Sequence, residues 1–279
     1  RVVFDAQTGW MTQYVVDGTN FIGEQGALKP NFWRAVTDND MGFGAPQKMA
    51  AWHHPELKLE SITPGIVKGK DTKEGAIVMA SYDMPAVKAK LSLTYRLQKD
   101  GTIVVNMAMK TDPTAKVSDM LRFGMVMQMP YDMDQSRFFG RGPIENYSDR
   151  KASERIGIYK QTADQQFFPY IRPQETGTKQ DIKWWQQTNA SGTGIEIHGL
   201  SGDLSMSALH YAIADLDDGL EKEQRHSYQV KKSPFTNLCI DKEQAGVGGT
   251  DSWGSWPLEP YRLHYGDRSF EFSISPCMK

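Results

Sequence analysis

The chain has 279 residues, 39% hydrophobic and 24% charged, an ordinary globular composition with enough apolar material for a sizeable packed core. Lys+Arg 32 against Asp+Glu 34 leaves a formal net charge of -2, so no positive field draws in a phosphate backbone and nucleic acid is not an expected partner. No apolar run approaches the roughly 20 residues needed to span a bilayer, so no membrane is expected either.

The chain opens on Arg1-Val2-Val3-Phe4 without a Met, which reads as a cut in a longer polypeptide. The segment FWRAVTDNDMGFG (residues 32–44) ends in an Asp/Asn/Gly cluster, expected to be a turn whose side chains hydrogen-bond their own backbone. Residues 47–52 have the spacing for a short helical turn, and His53-His54 beside Trp52 and Pro55 reads as an exposed loop. Residues 75–82, 87–97, 102–110 and 121–129 alternate apolar and polar positions and predict strands. Between the second and third, Gln98-Lys99-Asp100-Gly101 supplies the turn of a hairpin.

FFGRGPIENYSDR (residues 138–150) starts as a strand-like apolar pair and runs into a Gly-Arg-Gly-Pro turn and a polar aromatic loop that fits no regular period. YIRPQETG follows at residues 170–177. The strand pattern returns at residues 194–199, 204–208, 237–241 and 269–274, with helical spacing only at 215–223. GGTDSWGSW (residues 248–256) lies between the last two strands. Many short strands with turn residues between them predict an all-β chain, a large antiparallel sandwich formed by residues 1–279 as one unit.

The four irregular segments FWRAVTDND, GRGPIENYSDR, YIRPQETG and GGTDSW, in that order and spanning nearly the whole chain, closely resemble the C-terminal domain of the β-galactosidases of glycoside hydrolase family 2. The resemblance implies a supersandwich of the galactose mutarotase-like kind and a role in hydrolysing terminal β-D-galactosides such as lactose. It places the catalytic glutamates in an upstream barrel domain. Glycoside hydrolysis needs two flanking carboxylates, and no segment here matches the motifs that carry them in that family. No catalytic residue is therefore expected in this chain, and it should be inert alone. The resemblance also implies Mg and Na in the intact enzyme, a galactoside substrate and a homo-oligomer, with the compartment unread.

Trp253 is the leading substrate-binding candidate, since its indole offers a flat apolar face in a glycine-rich loop. In the family the tryptophan of this motif stacks on the galactoside. Asp251 of the same loop joins it, with Asp40 and Gly42; the resemblance implies a mobile loop beginning at Gly42, although Phe43-Gly44-Ala45-Pro46 departs from the family pattern. Arg141, Glu145, Asn146 and Tyr147 are expected to satisfy loop backbone rather than touch a ligand, and Arg172, Glu175 and Trp184-Trp185 to brace long loops across the sheet.

No histidine pair has metal-ligand spacing, Cys239 and Cys277 read as free thiols, and no cofactor is expected in this chain. Two other functions compete. A stand-alone aldose 1-epimerase needs an acid and a base on opposite sides of a sugar ring, for which His210 with Glu221 or Asp251 can be nominated. A non-catalytic carbohydrate-binding or assembly module needs neither.

Overall fold

A computed structural model describes residues 1–67, 75–217, 219–221, 225–251 and 253–277. Seventeen strands run in chain order: β1 (Val2–Phe4), β2 (Met11–Val16), β3 (Thr19–Asn20), β4 (Leu28–Asn31), β5 (Lys58–Val67), β6 (Gly75–Met84), β7 (Ala89–Gln98), β8 (Ile103–Thr111) and β9 (Arg122–Pro130). They continue as β10 (Gln135–Gly142), β11 (Arg155–Thr162), β12 (Lys179–Ile182), β13 (Trp184–Thr188), β14 (Gly194–Gly199), β15 (Leu204–Leu209), β16 (Phe235–Gln244) and β17 (Arg268–Cys277). All pairings between them are antiparallel, in one sheet ordered β1-β2-β4-β9-β16-β15-β12, with β3 on β2, and another ordered β11-β10-β13-β14-β17-β8-β7-β6-β5. The expected large antiparallel sandwich is what the chain forms.

The alternation that predicted β7 works as expected: Ala89, Leu91, Leu93 and Tyr95 point inward while Lys90, Ser92 and Arg96 face out. Its partner β8 buries Ile103, Val105, Met107 and Met109, and Gly101 takes φ 87° in the turn between them, where only glycine is at ease. One core unites both sheets, Met107, Phe270 and Phe272 from the second meeting Phe123, Met127 and Leu238 from the first. Strand β9 departs from alternation because it is covered on both faces. Phe123, Met125 and Met127 enter the core, and Arg122 and Val126 on the opposite side are also buried.

Helices are short, and the structure redistributes them. Residues 38–43, expected as a turn, form α1 (Asp38–Phe43), opened by Thr37 and closed by Gly44 at φ 78°. The Thr37 hydroxyl accepts from the Asp40 N–H and the Asp40 carboxylate accepts from the Thr37 N–H, a reciprocal cap whose T-x-x-D spacing is visible in the sequence. The turn expected at 47–52 is two pieces, α2 (Ala45–Lys48) and α3 (Ala50–His53), broken at Met49. A further single turn, α4 (Ala163–Gln166), follows β11. The helix expected over 215–223 is the single turn α5 (Ile213–Leu216); residues 218, 222 and 223 of that stretch lie outside the described residues. Strand β10 continues through Gly142, so the turn in FFGRGP begins only at a cis Gly142-Pro143 bond.

Candidate functional site

The four irregular segments lie far apart in sequence, and the fold gathers them at one crevice. Thr37, Asp38 and Asn39 line it from the first, Tyr147 and Arg150 from the second, Tyr170, Gln174 and Glu175 from the third, and Gly248 and Gly249 from the fourth with Val247 just before it, around a cavity of about 460 Å³.

Hydrogen bonds between the segments fix the arrangement. Asp149 accepts from the N–H groups of Val247 (3.0 Å) and Gly248 (2.8 Å), and the Asn39 amide donates to the Val247 carbonyl (2.9 Å). Glu145 accepts from Thr176 (2.9 Å), the Gly177 N–H (2.7 Å), Arg150 (2.7 Å) and the Tyr170 hydroxyl. The Asn146 amide donates to the carbonyls of Arg141 and Ile144 while its oxygen accepts from the Gln180 N–H. The expectation that Glu145 and Asn146 hold loop backbone matches these contacts, and the Arg141 guanidinium does the same by donating to the Glu154 carbonyl (2.8 Å).

Tyr147 differs. It is buried among these loops, lines the crevice, and its hydroxyl has no hydrogen-bond partner among the described residues. Burial first, then the nearby Glu175 and Glu145 carboxyls, raise its pKa well above the ordinary phenol value, so it remains a neutral donor. A buried hydroxyl left without a partner is a departure from the rule that buried polar groups are paired, and it marks Tyr147 out from its neighbours.

Asp40 sits elsewhere than expected. Its side chain is 0% exposed and paired in two places with Arg34, Nη2 to Oδ1 at 2.7 Å and Nε to Oδ2 at 3.0 Å. Arg34 spends its remaining donors on the carbonyls of Ala245 (2.6 Å) and Gly246 (2.9 Å) and on the Gln244 side chain (3.3 Å), anchoring the strand end that leads into GGTDSW. As a substrate contact Asp40 is therefore corrected: no face of it is open to a ligand, and it positions the crevice from beneath.

Gly42 lies inside α1 rather than at the start of a free loop. A Cβ on it would stand 3.1 Å from the Gly254 Cα, and one on Gly254 (φ +94°) would stand 2.3 Å from the Gly42 carbonyl oxygen. The Gly42 and Trp253 segments thus touch backbone to backbone, which two glycines permit. Asp251 shapes the second of them: Oδ2 accepts from the Ser255 hydroxyl (2.5 Å) and Oδ1 from the Trp253 N–H (2.8 Å), contacts that in that order hold its pKa below the usual carboxylate value.

The two tryptophans of this loop divide. Trp253 is 90% exposed, its indole unclaimed by the core. Trp256 packs on Phe43 at 4.4 Å between centroids, with Lys48 and Arg262 over its ring at 5.3 and 4.6 Å. Trp184-Trp185, on strand β13, also splits: Trp185 is core, stacked on Phe138, whereas Trp184 faces outward under Arg137. Glu175 does brace, accepting from Arg122 (3.1 Å) and Thr178 (2.7 Å), and Arg172 reaches Asp38 at 3.4 Å.

The nomination of His210 as a proton-transfer group fails on geometry. It is buried and stacked on Tyr131, with Nδ1 3.0 Å from Asp164 and Nε2 3.1 Å from the Tyr131 carbonyl, so both ring nitrogens are occupied. His53 is not a free loop residue either, because it stacks between Trp33 (4.7 Å) and His54 (4.1 Å).

Fold and crevice define the class, a large antiparallel β-sandwich whose loops converge on one polar cleft. The profile of the family described as beta galactosidase small chain matches residues 1–275, and the chain belongs to that family. It is 30% identical over 280 residues to a beta-galactosidase of Priestia megaterium, a match covering 98% of this chain and 25% of that protein. It is 30% identical over 258 residues to one of Lactobacillus delbrueckii subsp. bulgaricus, covering 91% and 24%. The chain spans about a quarter of the length of these curated relatives. Among solved structures, a putative aldose 1-epimerase from Escherichia coli K12 is similar over 99% of this chain and 95% of its own, at a TM-score of 0.46 and 11% identity.

Proposed function

We propose that this chain is the C-terminal part of a β-galactosidase that hydrolyses terminal β-D-galactosides such as lactose. In this reading the crevice and Trp253 form part of the substrate rim, and an upstream barrel carries the catalytic carboxylates. Such a pair hydrolyses with retention through a glycosyl-enzyme intermediate, as a glycoside hydrolase of family 2 would. This chain alone would be inert. The observation that carries the reading is the projecting indole of Trp253, held on an Asp251-braced turn whose next residue, Gly254, packs on Gly42 of the helix that brings Asp38 and Asn39 to the crevice.

Support for a neighbouring domain comes from the same side of the molecule. Ile171 (82% exposed) and Tyr228 (84%) flank Tyr170 of the crevice through the Ile171 carbonyl near His226 and the Tyr170 carbonyl bonded to Ser227. Apolar side chains bared beside a cleft fit a surface that another part of the protein, or another protomer of a homo-oligomer, covers. Mg and Na belong to this reading as ions of the intact enzyme; among the described residues there is no group of three or more His, Cys, Asp and Glu that could hold a metal ion.

The test is Trp253→Ala in the complete enzyme. Losing a stacking contact worth about 0.5–1.5 kcal/mol should raise KM for lactose about 2- to 12-fold with the protein fully folded. An unchanged KM would leave this chain a purely assembling module and refute the rim.

A further inference from the structure

The chain enters the Trp253 loop through a short neck, residues 245–248, whose backbone groups are engaged one after another. The Ala245 N–H donates to the Leu121 carbonyl (2.9 Å) and the Gly246 N–H to the Tyr261 carbonyl (2.8 Å). Arg34 donates to the carbonyls of both residues. At Val247 the N–H donates to Asp149 Oδ1 and the carbonyl accepts from Asn39, and the Gly248 N–H donates to Asp149 Oδ2. A carboxylate that takes two successive backbone N–H groups makes charge-assisted bonds, roughly twice as strong as neutral ones.

Asp149 can do this because its own position is fixed. Tyr147 and Arg150 exchange backbone hydrogen bonds (3.1 and 2.9 Å), closing a turn with Ser148 and Asp149 at its tip. The adjoining Asn146 N–H donates to the Thr178 carbonyl (2.8 Å), and the Ser148 hydroxyl reaches the Gln244 carbonyl (3.5 Å). Gly246 leaves room for the approach, since a Cβ there would stand 2.4 Å from Asp149 Oδ2.

Past the neck the chain changes direction. Gly248 and Gly249 take φ 72° and 96°, and among the described residues no hydrogen bond holds Gly249 or Thr250. The next fixed points are the Asp251 turn and the contact of Gly254 with Gly42, with the exposed Trp253 between them. Arg34 also holds the neck, but it carries Asp40 and α1 with it. The Asp149 carboxylate bonds only to the neck among the described residues, and it is the last hold before the loop departs.

We propose that Asp149 is a positioning residue of the substrate rim: it touches no substrate and acts through Trp253, by fixing the angle at which residues 249–253 leave the sandwich. Its effect on galactosides rests on Trp253 belonging to that rim; its hold on the loop does not.

Backbone ¹⁵N relaxation on the 279-residue chain reads the hold directly. In the parent the Trp253 amide should be as rigid as those of β16, with an order parameter of about 0.85, and Asp149→Ala should bring the amides of residues 249–254 below about 0.6 while β16 is unchanged. Asp149→Asn, which keeps one acceptor oxygen, should fall between, and it decides on the same measurements where Asp149→Ala does not fold. In the complete enzyme Asp149→Ala should raise KM for lactose at least about twofold and no further than Trp253→Ala does, with kcat changed less than about twofold. The double variant should match Trp253→Ala within about twofold, because the indole is the route from Asp149 to the sugar. A merely structural role would remove folded enzyme and lower kcat at constant KM. A Trp253 amide already mobile in the parent, one that stays rigid in Asp149→Ala, a KM moved by Trp253→Ala but not by Asp149→Ala, or KM effects that multiply in the double variant would each overturn the proposal. An unchanged KM in Trp253→Ala sinks the rim and with it the effect on substrate, while relaxation still decides whether Asp149 holds the loop.

Discussion

Replacing Asp40 with alanine would leave the Arg34 guanidinium at 0% exposure with no counter-ion. The structure sets the size of the effect. Two charge-assisted bonds, at 2.7 and 3.0 Å, disappear together with the cap that the carboxylate gives the Thr37 N–H. Breaking a buried pair from one side costs about 3–5 kcal/mol and a lost cap about 1 kcal/mol. The two overlap, so about 4 kcal/mol is expected against a whole-domain stability of about 5–15 kcal/mol.

Urea unfolding of the chain followed by circular dichroism should show the midpoint falling steeply at constant slope. Asp40→Asn keeps an oxygen for the cap and should lose less. The double variant Arg34→Met with Asp40→Leu should be less damaged than the sum of its parts, because it removes the stranded charge. An Asp40→Ala chain within about 1 kcal/mol of the parent would refute the assignment of Asp40 to the core of the crevice. A raised KM with intact stability for Asp40→Asn in the complete enzyme would return it to the substrate.

The loop tryptophans should separate by stability alone: Trp256→Ala, which strips Phe43, Lys48 and Arg262 of a shared partner, should cost about 2–3 kcal/mol, and Trp253→Ala less than about 0.5, both read from thermal or urea unfolding. Gly254→Ala combines φ +94° with a Cβ 2.3 Å from the Gly42 oxygen and should lose about 1–3 kcal/mol, whereas Gly42→Ala, whose Cβ would sit 3.1 Å from Gly254 within a helix, should be close to neutral. Burial pushes the Asp241 carboxyl up to about 7, against the opposing pull of Arg122, from an ordinary value of 3.8. Being raised on folding, that proton's stabilising contribution is whole below about pH 4 and is lost as pH rises through 7. The stability of the parent relative to Asp241→Asn should therefore fall by about 4 kcal/mol between pH 4 and pH 8, and a pH-independent difference would contradict the burial argument.

Strands such as β7, β8, β14 and β17 could be read from the chain because one face of each meets the core and the other meets water, so the period of two is printed in the side chains. Strand β9 was also found, yet its double burial was not, since only the tertiary covering of its outer face makes Arg122 and Val126 internal. Helix α1 was read as a turn although Thr37-x-x-Asp40 announces it; the same Asx-rich residues serve turns and caps alike, and a neighbour decides between them.

The site divides the same way. Motif order announced the family, and glycine content announced a close approach in the Trp253 loop. That Trp253 projects while Trp256 packs, and that Asp40 is sealed under Arg34 rather than bared to a ligand, depend on partners 200 residues away or more, such as Ala245 and Gly246 for Arg34. Local pattern is set by whether each neighbouring side chain prefers water or oil, and the sequence by itself determined that much: the strands, the hairpin and the sandwich class. Which polar groups are paired, orphaned or exposed is set by long-range burial, where desolvation and charge act only once distant segments meet, and the tertiary structure alone decided it.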